Sequence, residues 1–246
     1  MAVRNTSPAT LKQEEDDSRL TIIIPAAGMG RRMKSYGPKC LIDIGGTTII
    51  ERQIRIIRSS YPNSDIVLVG GFRCSEIRER IKSKYPVRII NNERYEETNV
   101  LYSISMGLQA SIADKVLIVY GDLVFNRQAL QGFSSESSSV LVDHQDKFNE
   151  KEVGVLHNGV GVTNFSYGLD KKWGQIVFLC GSELQIFSEI CYKESTERWF
   201  GYEALNHIID QGGVLKPIEK DGLSIVDVDS VKDIEKAIKI NLEKGF

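Results

Sequence analysis

LTIIIPAAGMGRRMKSYGPKCL, residues 20–41, begins as an apolar run and ends as a cationic loop. Leu20-Thr21-Ile22-Ile23-Ile24 reads as a buried strand. It empties into Ala26-Ala27-Gly28-Met29-Gly30, where glycines let the backbone curl and turn its N–H groups toward a phosphate, since no Cβ blocks the approach. Open α/β sheets bind ligands at the carboxyl ends of their strands, which is where this loop emerges. A GxG after a strand is also compatible with a plain tight turn, and the dinucleotide fingerprint fails, because Arg32 or Met33 stands where its third glycine belongs. Arg32 and Lys39 on the same loop supply a planar fork and a compact point charge, a pair that suits a polyphosphate.

Strands and helices alternate from this loop onward. Residues 48–60 place Ile50, Ile54 and Ile57 on one helical face, and a short buried strand is predicted over 65–69. Helices over 75–84 and 98–110 alternate with strands over 87–90 and 115–120, which predicts a mostly parallel sheet covered by helices on both faces. Three closely spaced strands over 140–143, 152–156 and 159–165 suggest a small antiparallel addition. Helices over 182–191 and 201–210 and strands over 214–218 and 224–228 lead to a closing helix from Ser230, with Val231, Ile234, Ile238 and Leu242 on one face. The expected fold class is α/β with one domain over residues 20–246, preceded by a disordered tail over residues 1–19 that carries the acidic run Glu14-Glu15-Asp16-Asp17.

Composition excludes several classes. At 246 residues, 41% hydrophobic and 26% charged, the chain is ordinary for one globular domain, and a net charge of −2 offers no basic field for nucleic acid. No apolar run approaches the roughly 18 residues of a membrane span, and none resembles a signal peptide. Cys40, Cys74, Cys180 and Cys191 form no CxxC pair, which fits a reducing, cytoplasmic setting. His144, His157 and His207 show neither zinc spacing nor a GxSxG partner.

Two further stretches end in acids. Val119-Tyr120-Gly121-Asp122 places a carboxylate at the end of a buried strand, and Ile225-Val226-Asp227-Val228-Asp229-Ser230 places two more just before the last helix. Paired hard carboxylates suit Mg²⁺, which takes its remaining ligands from water and substrate phosphates. A strand-end aspartate can also simply cap the helix that follows, and Asp227 and Asp229 share a sheet face by the two-residue period, so the residues alone do not choose between them.

Together these motifs resemble the nucleotidyltransferases of GT-A-like fold, whose signature AAGxGxR followed by PK is matched by residues 26–32 and Pro38-Lys39. The stretch Asn91-Asn92-Glu93-Arg94-Tyr95-Glu96-Glu97-Thr98-Asn99-Val100-Leu101-Tyr102-Ser103 is similar to the NxxYxxTNNxxS pattern of phosphocholine-type cytidylyltransferases, with Val100 in place of the second asparagine. The resemblance implies that Ala26, Ala27, Gly28, Met29 and Gly30 hold base and phosphates, and that Asn92, Thr98 and Asn99 line the base or sugar pocket. Arg32 would grip the β and γ phosphates, Lys39 would stabilise the α-phosphate under attack, and Asp122 and Asp229 would bind Mg²⁺. Tyr167, Trp173, Trp199, Phe200 and Tyr202, with Asp170 and Glu203 as counter-charges, are the candidates for an acceptor cage, since ring faces attract a quaternary ammonium, although each ring alone is also compatible with the core.

The implied reaction transfers CMP from CTP to a small phosphorylated or phosphonate acceptor with release of pyrophosphate. A sugar-1-phosphate nucleotidyltransferase using UTP or another NTP is the alternative, and a non-catalytic nucleotide-binding regulatory module a more distant one. A homo-oligomer is compatible with this reading and not specified by it.

Overall fold

The structure, a computed structural model, describes residues 20–30, 37–144 and 152–243. The expected tail over residues 1–19, Arg31 and the phosphate-gripping candidate Arg32 lie outside the described residues.

Strand β1 (Leu20–Ala26) is buried along almost its whole length, because it lies in the middle of a sheet with helices on either side. It pairs in parallel with β2 (Asp65–Gly70) and with β4 (Lys115–Val119), and β2 pairs in parallel with β3 (Arg88–Asn91). Ile22 and Ile24 pack with Ile54 and Ile57 of α1 (Ile49–Ser60) and with Ile77 and Ile81 of α2 (Cys74–Ile81). Ile23, pointing the other way, joins Leu101 and Ile104 of α3 (Val100–Ala110). On that same face lie Phe187 of α4 (Gly181–Cys191) and Leu205 of α5 (Gly201–Asp210). The strand period of two thus divides one isoleucine run between two cores.

Local chemistry starts α1: Thr48 and Glu51 form a capping box. Burial favours the neutral acid at Glu51, but hydrogen bonds from Arg80, Thr48 and Lys84 overrule it and hold the carboxyl down at about 2.

The second half closes the sheet in the order β10-β6-β9-β4-β1-β2-β3. Strand β6 (Ser139–Asp143) and β4 both run antiparallel to β9 (Lys171–Cys180), while β10 (Lys216–Ile218) runs parallel to β6. Strands β7 (Val153–His157) and β8 (Val162–Tyr167) form the antiparallel addition that the clustered strands lead one to expect. A second, two-stranded sheet pairs β5 (Leu123–Phe125) with β11 (Ile225–Asp227). It rests on α6 (Val231–Glu243), with Val124, Val226 and Ala237 buried together.

One strand is absent from the expected series, and one expectation needs correction. The strand over residues 171–180 is central to the sheet yet has no clean alternation, since lysines open it and it is buried on both faces. The α6 seam runs through Ile234, Ala237 and Ile238, whereas Val231 and Leu242 at the helix ends are 53% and 70% exposed, beyond the reach of the small core.

Candidate active site

A cleft of about 390 Å³ opens at the carboxyl ends of β1 and β4. Its floor is a close approach of two strand exits: the Gly121 N–H donates to the Pro25 carbonyl at 3.1 Å, and a Cβ on Gly121 would lie 2.7 Å from that of Ala26. Ala26, Ala27, Gly28 and Gly30 line the cleft, whereas Met29 is not one of its lining residues. Gly30 has φ +52°, and a Cβ there would meet Lys39 Cγ at 2.8 Å, so the glycine makes room for the lysine stem across the loop.

Lys39 opens a single 3-10 turn directly after Pro38. Its Nζ donates to Asp122 Oδ2 at 3.2 Å and to Asp229 Oδ1. Burial disfavours the ammonium, but Asp122 and Asp229 outweigh that and raise its pKa, so Lys39 is a fixed positive charge. Behind it Cys40 is 2% exposed, and burial pushes its thiol up to about 12, which makes it an inert wall.

The small sheet assembles the acids. Asp122 precedes β5, Asp227 ends β11, and antiparallel pairing puts Asp227 opposite Leu123. The Val228 N–H donates to the Asp122 carbonyl at 3.0 Å. Asp233 at the start of α6 accepts from the Ser230 N–H at 2.9 Å and from the Asp229 N–H at 3.3 Å, which seats Asp229 on the helix entry. Oxygens of Asp122, Asp227 and Asp229 lie within 4.8 Å of one another. Burial, then the charges of Asp122 and Asp229, push the Asp227 carboxyl up to about 8, and its Oδ1 is buried without a hydrogen-bond partner among the described residues. Three hard oxygen donors, one of them with an unanswered buried lone pair, fit a divalent cation such as Mg²⁺. Asp227 thus stands in the cluster beside Asp229.

One wall comes from the segment between β3 and α3. Asn92, Thr98 and Asn99 all line the cleft, together with Tyr95 and Ser103. Asn92 Nδ2 donates to Ser103 Oγ at 3.1 Å and Thr98 Oγ1 at 3.3 Å, while its Oδ1 accepts from the Arg94 N–H at 2.9 Å. Asn99 caps α3 through Oδ1 and donates from Nδ2 to the Arg198 carbonyl at 3.3 Å. Both amides therefore brace the wall. Arg94 binds Glu197 by two bonds of 2.7 Å and ties this wall to the approach to α5.

Of the seven acceptor candidates only Phe200 is among the described residues that line the cleft. Trp173 is 4% exposed and packs edge-on against Tyr120 and Phe165, at 5.6 Å from each, because β9 points it into the core. Trp199 stands edge-on to His207, and Tyr167 meets Tyr202 at 5.8 Å. Glu203 accepts from the Phe200 N–H at 2.7 Å and so serves the start of α5. Phe200, stacked on Tyr202 at 6.0 Å, does line the cleft. Gln175 and Tyr120 line it too, and neither stands out in the sequence. Tyr120 had a signal in its place one residue before Gly121-Asp122; Gln175 had none, because its strand is not legible.

A sequence profile described as MobA-like NTP transferase domain matches residues 22–160. The choline-phosphate cytidylyltransferase of Haemophilus influenzae is 33% identical over 134 residues, which cover 53% of this chain and 56% of that protein. The match thus spans about half the length of that curated relative. Among solved structures, the CTP:phosphocholine cytidylyltransferase of Streptococcus pneumoniae superposes with a TM-score of 0.74 at 22% identity, covering 90% of this chain and 99% of that one. The inositol-1-phosphate CTP transferase of T. maritima gives 0.76 at 20% identity, covering 93% and 98%. At these identities the structures speak for the fold.

Proposed function

This chain belongs to the MobA-like NTP transferase domain family, and from that premise we propose that it transfers CMP from CTP to a small phosphorylated or phosphonate acceptor. The observation that carries the reading is the convergence of Lys39 with Asp122 and Asp229 beside the glycine loop at one strand-end cleft. A volume of about 390 Å³ falls within the roughly 300–1,000 Å³ common for ligand sites.

In the proposed reaction an anionic oxygen of the acceptor attacks the α-phosphorus of CTP in line. A new P–O bond forms, the bond to the β-phosphate oxygen breaks, and pyrophosphate leaves with that electron pair. The acceptor is already ionised at neutral pH, so no protein base or nucleophile is required. Backbone N–H groups around Gly28 and Gly30 cradle phosphate oxygens. Lys39 places positive charge where the α-phosphate gathers negative charge, and its fixed position means that little reorganisation accompanies the reaction. Mg²⁺, held by Asp122 and Asp229 with Asp227 beside them, supplies further charge neutralisation when bound. Phe200 lines the same cleft and offers the acceptor an aromatic contact.

The test is pyrophosphate release from CTP, UTP, GTP and ATP, each with Mg²⁺ and a panel of amino-alcohol phosphates, phosphonates and sugar 1-phosphates. Release with CTP and a small acceptor is expected. Turnover confined to UTP or another NTP with a sugar phosphate would replace the reading, and nucleotide binding without any turnover would leave a regulatory module.

A further inference from the structure

Gln175 has a backbone φ of +54°, a left-handed conformation that disfavours any residue bearing a Cβ. It sits at an irregularity of the central sheet. Between two paired positions β6 advances from Val140 to Val142, while β9 advances from Val177 to Trp173, so β9 carries two extra residues there. Trp173, Val177 and Leu179 all point into one apolar core. The two-residue period of an unbroken strand would send Gln175 into that same core, where its amide would find no partner. The bulge re-aims it, and Gln175 lines the cleft instead.

There its Nε2 donates to Asp227 Oδ2 at 3.0 Å. The other oxygen of that carboxylate, Oδ1, is buried and has no hydrogen-bond partner among the described residues. The Gln175 carbonyl accepts from the Tyr120 N–H at 3.4 Å, so the bulge is also anchored beside the turn that delivers Asp122. A strained backbone, a displaced register and a bond to one oxygen of a buried acid meet in a single residue. Strain of this kind persists where the surroundings over-determine it, and functional sites are where it gathers.

We propose that Gln175 is a positioning residue of the acidic centre: its amide holds Asp227 by Oδ2 and leaves Oδ1 directed at a divalent cation shared with Asp122 and Asp229. This rests on the cation-binding part of the reading above and deepens it. A carboxylate tethered through one oxygen offers the other as a single, oriented ligand, and partners that orient metal ligands typically affect affinity by about 10–100-fold when removed.

The experiment uses Mn²⁺ as the probe, titrated into the purified full-length protein with CTP and no acceptor, with free Mn²⁺ followed by its electron paramagnetic resonance signal. Gln175→Met keeps the side-chain length without the donor, and Gln175→Gly removes the donor and the backbone strain together. Both variants are expected to bind Mn²⁺ at least about tenfold more weakly. Gln175→Gly is expected to keep or raise Tm, because glycine adopts the positive φ freely. If both variants titrate like the wild type, the proposal is wrong. If Gln175→Gly loses Tm in step with Mn²⁺ affinity, the residue serves folding alone and the proposal is again wrong. Should the wild-type protein itself retain no Mn²⁺ with CTP, the cation reading falls, and this inference falls with it.

Discussion

Asp227→Asn should stabilise the cation-free protein while abolishing part of its cation site. In the folded chain burial and two neighbouring carboxylates hold the Asp227 carboxyl up at about 8, against an ordinary value of 3.8. Above about pH 4 the unfolded chain releases this proton while the folded chain keeps it, so stability falls as pH rises across that window and levels off past about 8. At about 1.36 kcal/mol for each pH step the ceiling is near 5 kcal/mol. The Lys39 attraction is already contained in that value, and relaxation of the crowded acids together with water entering the cleft lowers the ceiling further, so roughly 2–3 kcal/mol is the working figure. For a chain of this size that corresponds to about 5–10 °C in Tm. The assay is scanning calorimetry of both proteins in EDTA at pH 4, 6.5 and 9. The Tm advantage of Asp227→Asn should be near zero at pH 4 and largest at pH 9. An advantage that does not change with pH, or none at pH 9, would refute the argument that three converging acids strain the folded state. Adding Mg²⁺ and CTP at pH 8 should narrow or reverse the difference, since a ligand bound only to the folded state stabilises the protein that binds it better.

Lys39→Ala should lower kcat by on the order of 10² or more with Tm little changed, and near-wild-type turnover would remove Lys39 from the mechanism. Asp122→Asn should shift the Mg²⁺ concentration needed for half-maximal pyrophosphate release upward by about tenfold or more, and an unchanged metal requirement would show that Asp122 is not a ligand. Glu51→Gln should cost roughly 1–3 kcal/mol near neutral pH by urea unfolding, because the carboxylate is 5% exposed and bonded to Arg80 and Lys84, whose outer ends are wet. Since that carboxyl is held below its ordinary value, the difference should persist above about pH 4.5 and vanish as pH falls through about 2; a gap undiminished at pH 2 would show that charge is not its source.

The catalytic candidates were legible to different degrees for physical reasons. Asp122 follows Gly121 at the end of an apolar strand, and Lys39 follows Pro38 on the loop that leaves the first strand through its glycines, so local composition marks both the turn and the charge. Asp227 and Asp229 are separated by one residue, and no local pattern says which faces the cleft; the pairing of β11 with β5 and the Asp233 bond at the head of α6 bring both into one cluster. The aromatic candidates divide between core and cleft, because ring content alone does not distinguish a cage from a core. Trp173 belongs to the core, while Phe200 reaches the cleft from the lead into α5. Asn92 and Asn99 line the cleft, and their amides are engaged in bracing its wall, a matter of distances that no motif contains.

From the sequence alone came the alternating α/β order, the strand that ends in a glycine loop, and the charges that accompany it, because hydrophobic period and glycine placement are local properties. Tertiary structure decided where β9 lies, how its bulge turns Gln175 from the core to the cleft, and which distant acids cluster together. Those outcomes depend on register between strands far apart in the chain, and a shift of one residue would reverse every side chain while leaving the local pattern unchanged.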